Sequence, residues 1–169
     1  AFAGCHLTKI SIPYSIRNVG YCAIMDCSDL VSINVSEGNN YFTSIDGVLY
    51  SKDAKTLIAY PGGKGGEYSI LEGTTTIEKY SFDECGSLTG IVIPDSVISI
   101  GDYAFESCLS LTSIIIPDSV TFIGKGAFYC CNGLTNITLP DSITSIEKGA
   151  FCSCIELVSV NIPDSITKI

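Results

Sequence analysis

The 169-residue chain contains no tryptophan, one methionine and one histidine, and its 9 Lys and Arg residues stand against 18 Asp and Glu residues. Each shortage removes a class of function. A formal charge of −9 leaves no basic surface for a polyanion, which argues against nucleic acid or an anionic membrane as partner. No stretch approaches the run of about 20 apolar residues that a membrane-spanning helix requires. Charged residues make up only 16% of the chain and hydrophobic residues 46%, which is too apolar for a disordered chain and enough for a substantial core. With a single histidine, any Ser–His–Asp or Cys–His device has to use His6, beside the N-terminal edge, where a water-excluding pocket is not expected. No other acid–base or nucleophile set stands out. The chain is therefore expected not to be an enzyme, with no catalytic residue, metal ligand or cofactor assigned.

What the chain does have is a sentence written almost four times. Leu88-Thr-Gly-Ile-Val-Ile-Pro-Asp-Ser-Val is followed by Leu111-Thr-Ser-Ile-Ile-Ile-Pro-Asp-Ser-Val, Leu134-Thr-Asn-Ile-Thr-Leu-Pro-Asp-Ser-Ile and Leu157-Val-Ser-Val-Asn-Ile-Pro-Asp-Ser-Ile. The starts fall 23 residues apart, and a fixed period of that length means a stacked array. Each unit has an apolar strand, a Pro-Asp-Ser turn in which Pro presets φ, and a segment ending in Ala-Phe-x-x-Cys. That last segment is too short for a free helix, and a helical turn or 3₁₀ segment is expected. Earlier units start at Leu7 and Leu30. From Leu30 to Leu88 is two steps plus 12 residues, which places an insertion at about 36–66. Within it, Gly47–Ser51 and Thr56–Tyr60 read as two strands of a β-hairpin joined by residues 52–55. The run Pro61-Gly62-Gly63-Lys64-Gly65-Gly66 lacks the spacing of a phosphate loop and reads as a flexible return.

One unit cannot hide its apolar face alone, whereas stacked units can. Strand alternation points Leu111, Ile114 and Ile116 inward and Ser113 and Ile115 outward. The expected inward columns are Leu7/30/88/111/134/157, Phe2/82/105/128/151 with Ile24, and the Ile or Val at 19, 77, 100, 123, 146 and 169. The outward ladder is small and neutral. Its candidate binding face is Ser32, Asn34, Ser113, Ile115, Asn136, Thr138, Ser159 and Asn161, with few of the aromatic or Arg anchors that strong partner hot spots use.

Period, strand and turn together resemble a leucine-rich repeat. The Pro-Asp-Ser-Val/Ile and Ala-Phe-x-x-Cys pieces are similar to the BspA-like (Treponema pallidum type) variant of bacterial and some protist surface proteins. Residues Phe42 to Pro61 also look like a recurrent element of that family. The resemblance implies an α/β, mostly β fold: a curved, right-handed solenoid with a parallel strand ladder, 23-residue repeats, short helical turns and an inserted β-hairpin. It implies a single domain over residues 1–169, part of a longer chain, since both ends break off inside a repeat. It further implies a cell-surface or extracellular, non-catalytic adhesion module whose partner is a host, neighbouring-cell or matrix protein. The alternative is a structural spacer with no ligand of its own. The isolated piece is expected to be monomeric or associated end to end.

Nine cysteines remain. Six recur at the repeat position, namely Cys5, Cys27, Cys85, Cys108, Cys131 and Cys154, while Cys22, Cys130 and Cys152 are extra. A recurring residue reads first as a buried packing column, with disulfides or a metal site as the alternatives. Asp95, Asp118, Asp141 and Asp164 form another column. Each is expected to bond its own turn and sit in water, the alternative being that the column holds Ca²⁺. Two glycosylation patterns, at Asn34 and Asn136, are read as coincidence.

Overall fold

The computed structural model describes residues 1–169 as a β-solenoid. Its strands are β1 (Lys9–Ile12), β2 (Ser32–Val35), β3 (Phe42–Ile45), β4 (Val48–Ser51), β5 (Thr56–Ala59), β6 (Gly66–Ser69), β7 (Thr76–Ile77), β8 (Leu88–Val92), β9 (Ser99–Ile100), β10 (Ser113–Ile115), β11 (Phe122–Ile123), β12 (Asn136–Thr138) and β13 (Ser159–Asn161). The longer strands of the repeats stack as parallel neighbours in 23-residue register, in three sheets, β1-β2, β6-β8 and β10-β12-β13, with one irregularity between Gly66 and Glu67. Ile114 pairs with Ile137, which pairs with Val160, and Ile10 pairs with Ile33. After the turns at Leu71-Glu72-Gly73, Pro94 and Pro117 the chain makes a second, two-residue strand on another face, where β7, β9 and β11 run parallel, and Ser145 and Lys168 continue the line as an isolated bridge. Each turn is closed by the backbone, for example Val97 N–H to the Pro94 carbonyl at 3.0 Å.

No helix forms, so the expected helical or 3₁₀ turns are corrected. In the Ala-Phe-x-x-Cys segment the N–H groups serve two masters in alternation. Tyr103, Phe105 and Ser107 donate to the Lys125, Ala127 and Tyr129 carbonyls of the next coil at 2.9, 2.8 and 2.9 Å. Ala104, Glu106 and Cys108 donate three residues back. Tyr103 and Ser107 take φ of 54° and 57°, as Tyr80, Glu84 and Cys130 do in their coils. A left-handed residue every fourth position stops a right-handed helix from propagating, at a cost of about 1–2 kcal/mol each. The inter-coil bonds hold it there.

The phenylalanine column is continuous. Phe82, Phe105, Phe128 and Phe151 stack at centroid separations of 4.8, 5.3 and 5.6 Å with interplanar angles of 17°, 1° and 5°. Tyr60, which the spacing did not place in the file, extends it at 5.0 Å from Phe82. Phe82, Phe105 and Phe128 are fully buried, with Leu88, Leu111 and Leu134 beside them. The ends of the expected columns fail. Phe2 is 45% exposed and Ile169 lies at the surface, while Leu7, Val19, Ile24, Ile146, Phe151 and Leu157 are half-buried. An end coil has a neighbour on one side only.

The insertion is not a protruding hairpin. β4 and β5 do form the expected antiparallel pair, and β3 adds a third strand that the sequence pattern did not disclose. β5 then pairs parallel to β7, so the order β11-β9-β7-β5-β4-β3 makes one six-stranded sheet. β4 is buried on both sides. Leu49 packs into an N-terminal cluster with Leu30, Ile33 and Phe42, whereas Val48 and Tyr50 pack into the main core of 27 buried residues. The inserted sheet is thus a partition between two cores. Asn39 anchors it to the first coil. Its buried amide donates to the Pro13 and Ile16 carbonyls, both at 3.0 Å, and accepts from the Tyr41 and Phe42 N–H groups at 2.8 and 2.9 Å.

The glycine run that follows is a wedge, which corrects the flexible-return reading. A Cβ on Gly63 would sit 2.7 Å from the Ser28 carbonyl oxygen, and one on Gly62 would sit 2.9 Å from that of Cys27. Gly63 N–H donates to the Leu30 carbonyl at 2.8 Å and Gly66 N–H to that of Ser87 at 3.0 Å. Backbone packs directly on backbone here, and only glycine leaves room for it.

Candidate functional site

The strand ladder offers its outward positions to solvent. Ser113, Asn136, Thr138, Ser159 and Asn161 are exposed, and Ile115 is 82% exposed. Another outward position of the ladder belongs with them. Val92, one coil before Ile115 in the same register position, is 61% exposed. Alternation signals it as clearly as it signals Ile115, because each follows an inward isoleucine.

The eight residues expected to form one face do not all come together. The ladder is cut where the insertion enters, because β2 pairs with β1 and its other edge meets the inserted sheet. Ile33 N–H donates to the Gly47 carbonyl at 2.8 Å, and the Ser44 hydroxyl bonds the Ile33 carbonyl. Ser32 is half-buried against Gly47, and its hydroxyl turns to Asn34 at 3.2 Å. Ser32 and Asn34 therefore belong to a separate N-terminal patch with Lys9 and Ser11. The other six share the surface that runs from β6 to β13.

Two grooves lie on that surface. One, of about 690 Å³, is lined by Ser113, Ile115, Asp118, Asn136, Thr138, Asp141 and Asn161 among others. The second, of about 620 Å³, is lined by Glu67, Tyr68, Val92, Asp95, Ile115 and Pro117 among others. Ser113, Ile114 and Ile115 line both, so the two are contiguous.

The aspartates do not bond their own turns as expected. Asp95, Asp118 and Asp141 are exposed, and the turn is held by backbone bonds and by the serine after each aspartate. Ser96 and Ser119 donate to the Thr74 and Val97 carbonyls of the preceding coil, both at 2.7 Å. The carboxylates are left to solvent. The only ion pair in the molecule is His6 with Asp29, at 2.7 Å and open to water. No three His, Cys, Asp or Glu side chains converge as metal ligands would, so the aspartate column is a file rather than a cage.

Of the six repeat cysteines, Cys27, Cys85, Cys108 and Cys131 form the expected buried column, Cys154 is half-buried and Cys5 is exposed at the first coil. Cys27, Cys108, Cys131 and Cys154 point their thiols at the carbonyls of Phe2, Phe82, Phe105 and Phe128 one coil back, at 3.1, 3.3, 3.0 and 3.0 Å. Burial holds the Cys108 thiol well above its ordinary range and raises that of Cys154 to about 11, which keeps them protonated and able to donate. All nine cysteines are free.

A second surface feature was not legible beforehand. Tyr21, Tyr80, Tyr103 and Tyr129 stand in a row with centroid spacings of 6.4, 5.3 and 6.4 Å. Lys79 lies 3.3 Å over the Tyr21 ring, and the Tyr103 ring fills the space that a Cβ on Gly126 would need. The Tyr80 and Tyr103 rings stack at an interplanar angle of 4°, whereas Tyr129 meets Tyr103 edge-on at 74° and Tyr21 stays 50% exposed.

The leucine-rich region described as BspA type matches residues 1–54 and 67–169, in six copies. Among curated proteins nothing matches. The fold is shared with several solved structures. A leucine-rich repeat protein from Eubacterium ventriosum is 28% identical with a TM-score of 0.77, covering 92% of this chain and 49% of the other. A leucine-rich cell surface protein from Faecalibacterium prausnitzii is 30% identical with a TM-score of 0.71, covering 94% and 48%. The pneumococcal vaccine antigen PcpA is 25% identical with a TM-score of 0.72, covering 96% and 50%. The chain thus spans about half the length of each of these three structures.

Proposed function

The chain belongs to the BspA-type leucine-rich repeat family, and on that footing we propose that it is a non-catalytic protein-binding module of a cell-surface or secreted protein, adhesive in role. One observation carries the reading. Val92 and Ile115 lie in adjacent coils and are held in water in the middle of a grooved strand face. Apolar side chains gathered in an open groove gain free energy when a partner covers them. The similar proteins support the location, one being a cell surface protein and another a vaccine antigen. The partner would be a host, neighbouring-cell or matrix protein.

The test is binding of immobilised chain to purified matrix and cell-surface proteins, with wild type set against a Val92→Ser/Ile115→Ser variant. Both sites are solvent-facing, so the variant keeps its fold. Binding by wild type and its loss in the variant support the reading. The second reading, a spacer that holds other domains apart, is favoured by the absence of Arg and Trp anchors from the face. No binding at tens of micromolar would leave the spacer as the better account.

A further inference from the structure

The groove carries carboxylates and one short apolar stretch on an otherwise small, neutral floor. Glu67, Asp95, Asp118 and Asp141 line it together with Val92 and Ile115, and none of the lining residues is Lys or Arg. Four of the nine basic residues are engaged away from the groove. Lys79 and Lys125 lie over tyrosine rings, while Lys55 and Lys64 bond the carbonyls of Gly73 and Asp46. The 23-residue register brings Asp95, Asp118 and Asp141 to the groove from three successive coils, and none of the three makes an ion pair within the molecule. A small cation is a poor match, since no three carboxylates converge. Three carboxylates in file beside two adjacent exposed aliphatic side chains instead match an elongated ligand of the opposite sign that carries apolar side chains of its own.

Resting on the reading above, we propose that this groove receives a cationic segment of a partner protein, one in which apolar side chains alternate with Lys or Arg. The apolar side chains cover Val92 and Ile115, and the ammonium or guanidinium groups meet the aspartate file. Parallel strands lie about 4.8 Å apart, so the face made by β6, β8, β10, β12 and β13 spans about 19 Å, the length of roughly six extended residues. The charges add attraction at long range and set the sign of the partner, while the aliphatic contact supplies the desolvated centre.

The experiment measures fluorescence anisotropy of a labelled octapeptide of alternating Lys and Val, with Glu–Val and Lys–Ser octapeptides as controls. The Lys–Val peptide is expected to bind the wild-type chain, and the two controls are expected to bind at least about tenfold more weakly. An Asp95→Asn/Asp118→Asn/Asp141→Asn variant is expected to lose roughly tenfold in affinity for Lys–Val, and raising the salt from about 50 to about 300 mM is expected to do the same. The asparagines keep the size of exposed side chains, and an unchanged thermal midpoint confirms the fold. Three results overturn the inference: equal binding of Glu–Val, affinity unchanged within about twofold in the triple variant, or no binding of Lys–Val at millimolar concentration. A purified surface protein that loses binding to Val92→Ser/Ile115→Ser but keeps it to the triple variant overturns the charge inference and leaves the protein-binding reading standing.

Discussion

The stretch from Tyr68 onward and the stretch up to Gly66 obey different rules. In the first, one residue type recurs at one position, and a side chain's place follows from counting by 23. In the second, the count holds from β1 to β2 and then breaks, and beyond Val35 neighbours are set by an antiparallel meander, a buried amide and a wedge of glycines. The regular part makes its core from repetition. The irregular part makes a core from a single sheet buried on both faces, with Leu49 on one side and Tyr50 on the other. Periodicity therefore explains packing only as far as it runs, and specific contacts replace it where it stops.

The sharpest way to probe this contrast is to remove one phenylalanine from each part. Phe128→Ala empties a fully buried site in the column and is expected to cost about 3–5 kcal/mol in urea unfolding. Phe2→Ala, at the half-open first coil, is expected to cost under about 1 kcal/mol. Equal costs would mean that the column is not a shared core. In the irregular part, Gly63→Val sets a side chain against the backbone of Ser28 and Asp29, which cannot move aside. A loss of about 2–3 kcal/mol is expected, measured the same way, and a neutral result would restore the flexible-loop reading.

A smaller effect tests the seam between the two parts. The hydroxyls of Tyr50, on the inserted sheet, and Tyr68, on the first regular strand, bond at 2.6 Å. Tyr50→Phe and Tyr68→Phe are each expected to cost about 1 kcal/mol, and the double variant little more than either single. Additive losses in that cycle would deny the bond.

The last probe is a matter of pH. Burial, with Glu106, Glu84 and Asp26 nearby, pushes the Asp83 carboxyl up to about 7, against the pull of the Asp26 N–H at 3.0 Å. A raised carboxyl favours the protonated form in the folded state. Its contribution is complete below about pH 4 and is lost as pH rises through about 7. Asp83→Asn should match wild type near pH 4 and exceed it by about 1 kcal/mol at pH 8, the size being held down by solvent screening. Thermal midpoints across that range decide it, and a difference that does not grow with pH would show that Asp83 is charged throughout.

Much of this was legible from residue order. Ile114 inward and Ile115 outward follow from strand alternation, and the Phe82–Phe151 file follows from the period. The misses share a cause. Tyr60 joins the phenylalanine file because the insertion brings it there, and no count of 23 reaches it. The thiol-to-carbonyl bonds of Cys108 and Cys131 depend on the offset between coils, which a packing column predicted from recurrence does not specify. The tyrosine row is only half periodic, as Tyr80 and Tyr103 both precede their phenylalanines by two, whereas Tyr129 follows its own by one and Tyr21 lies in a coil with Ile24 in place of phenylalanine.

Residue order alone determined that this protein is a stack, which residues face inward in the regular coils, and that the candidate face carries no basic charge. These are local matters, settled by alternation and recurrence within about 23 residues. Only the tertiary structure decided that the insertion divides the core, that Ser32 and Asn34 stand apart from the groove, and that the aspartates line the groove with Val92 and Ile115. Those facts depend on distances between segments far apart in the chain, where packing of backbone on backbone chooses among arrangements that residue order leaves open.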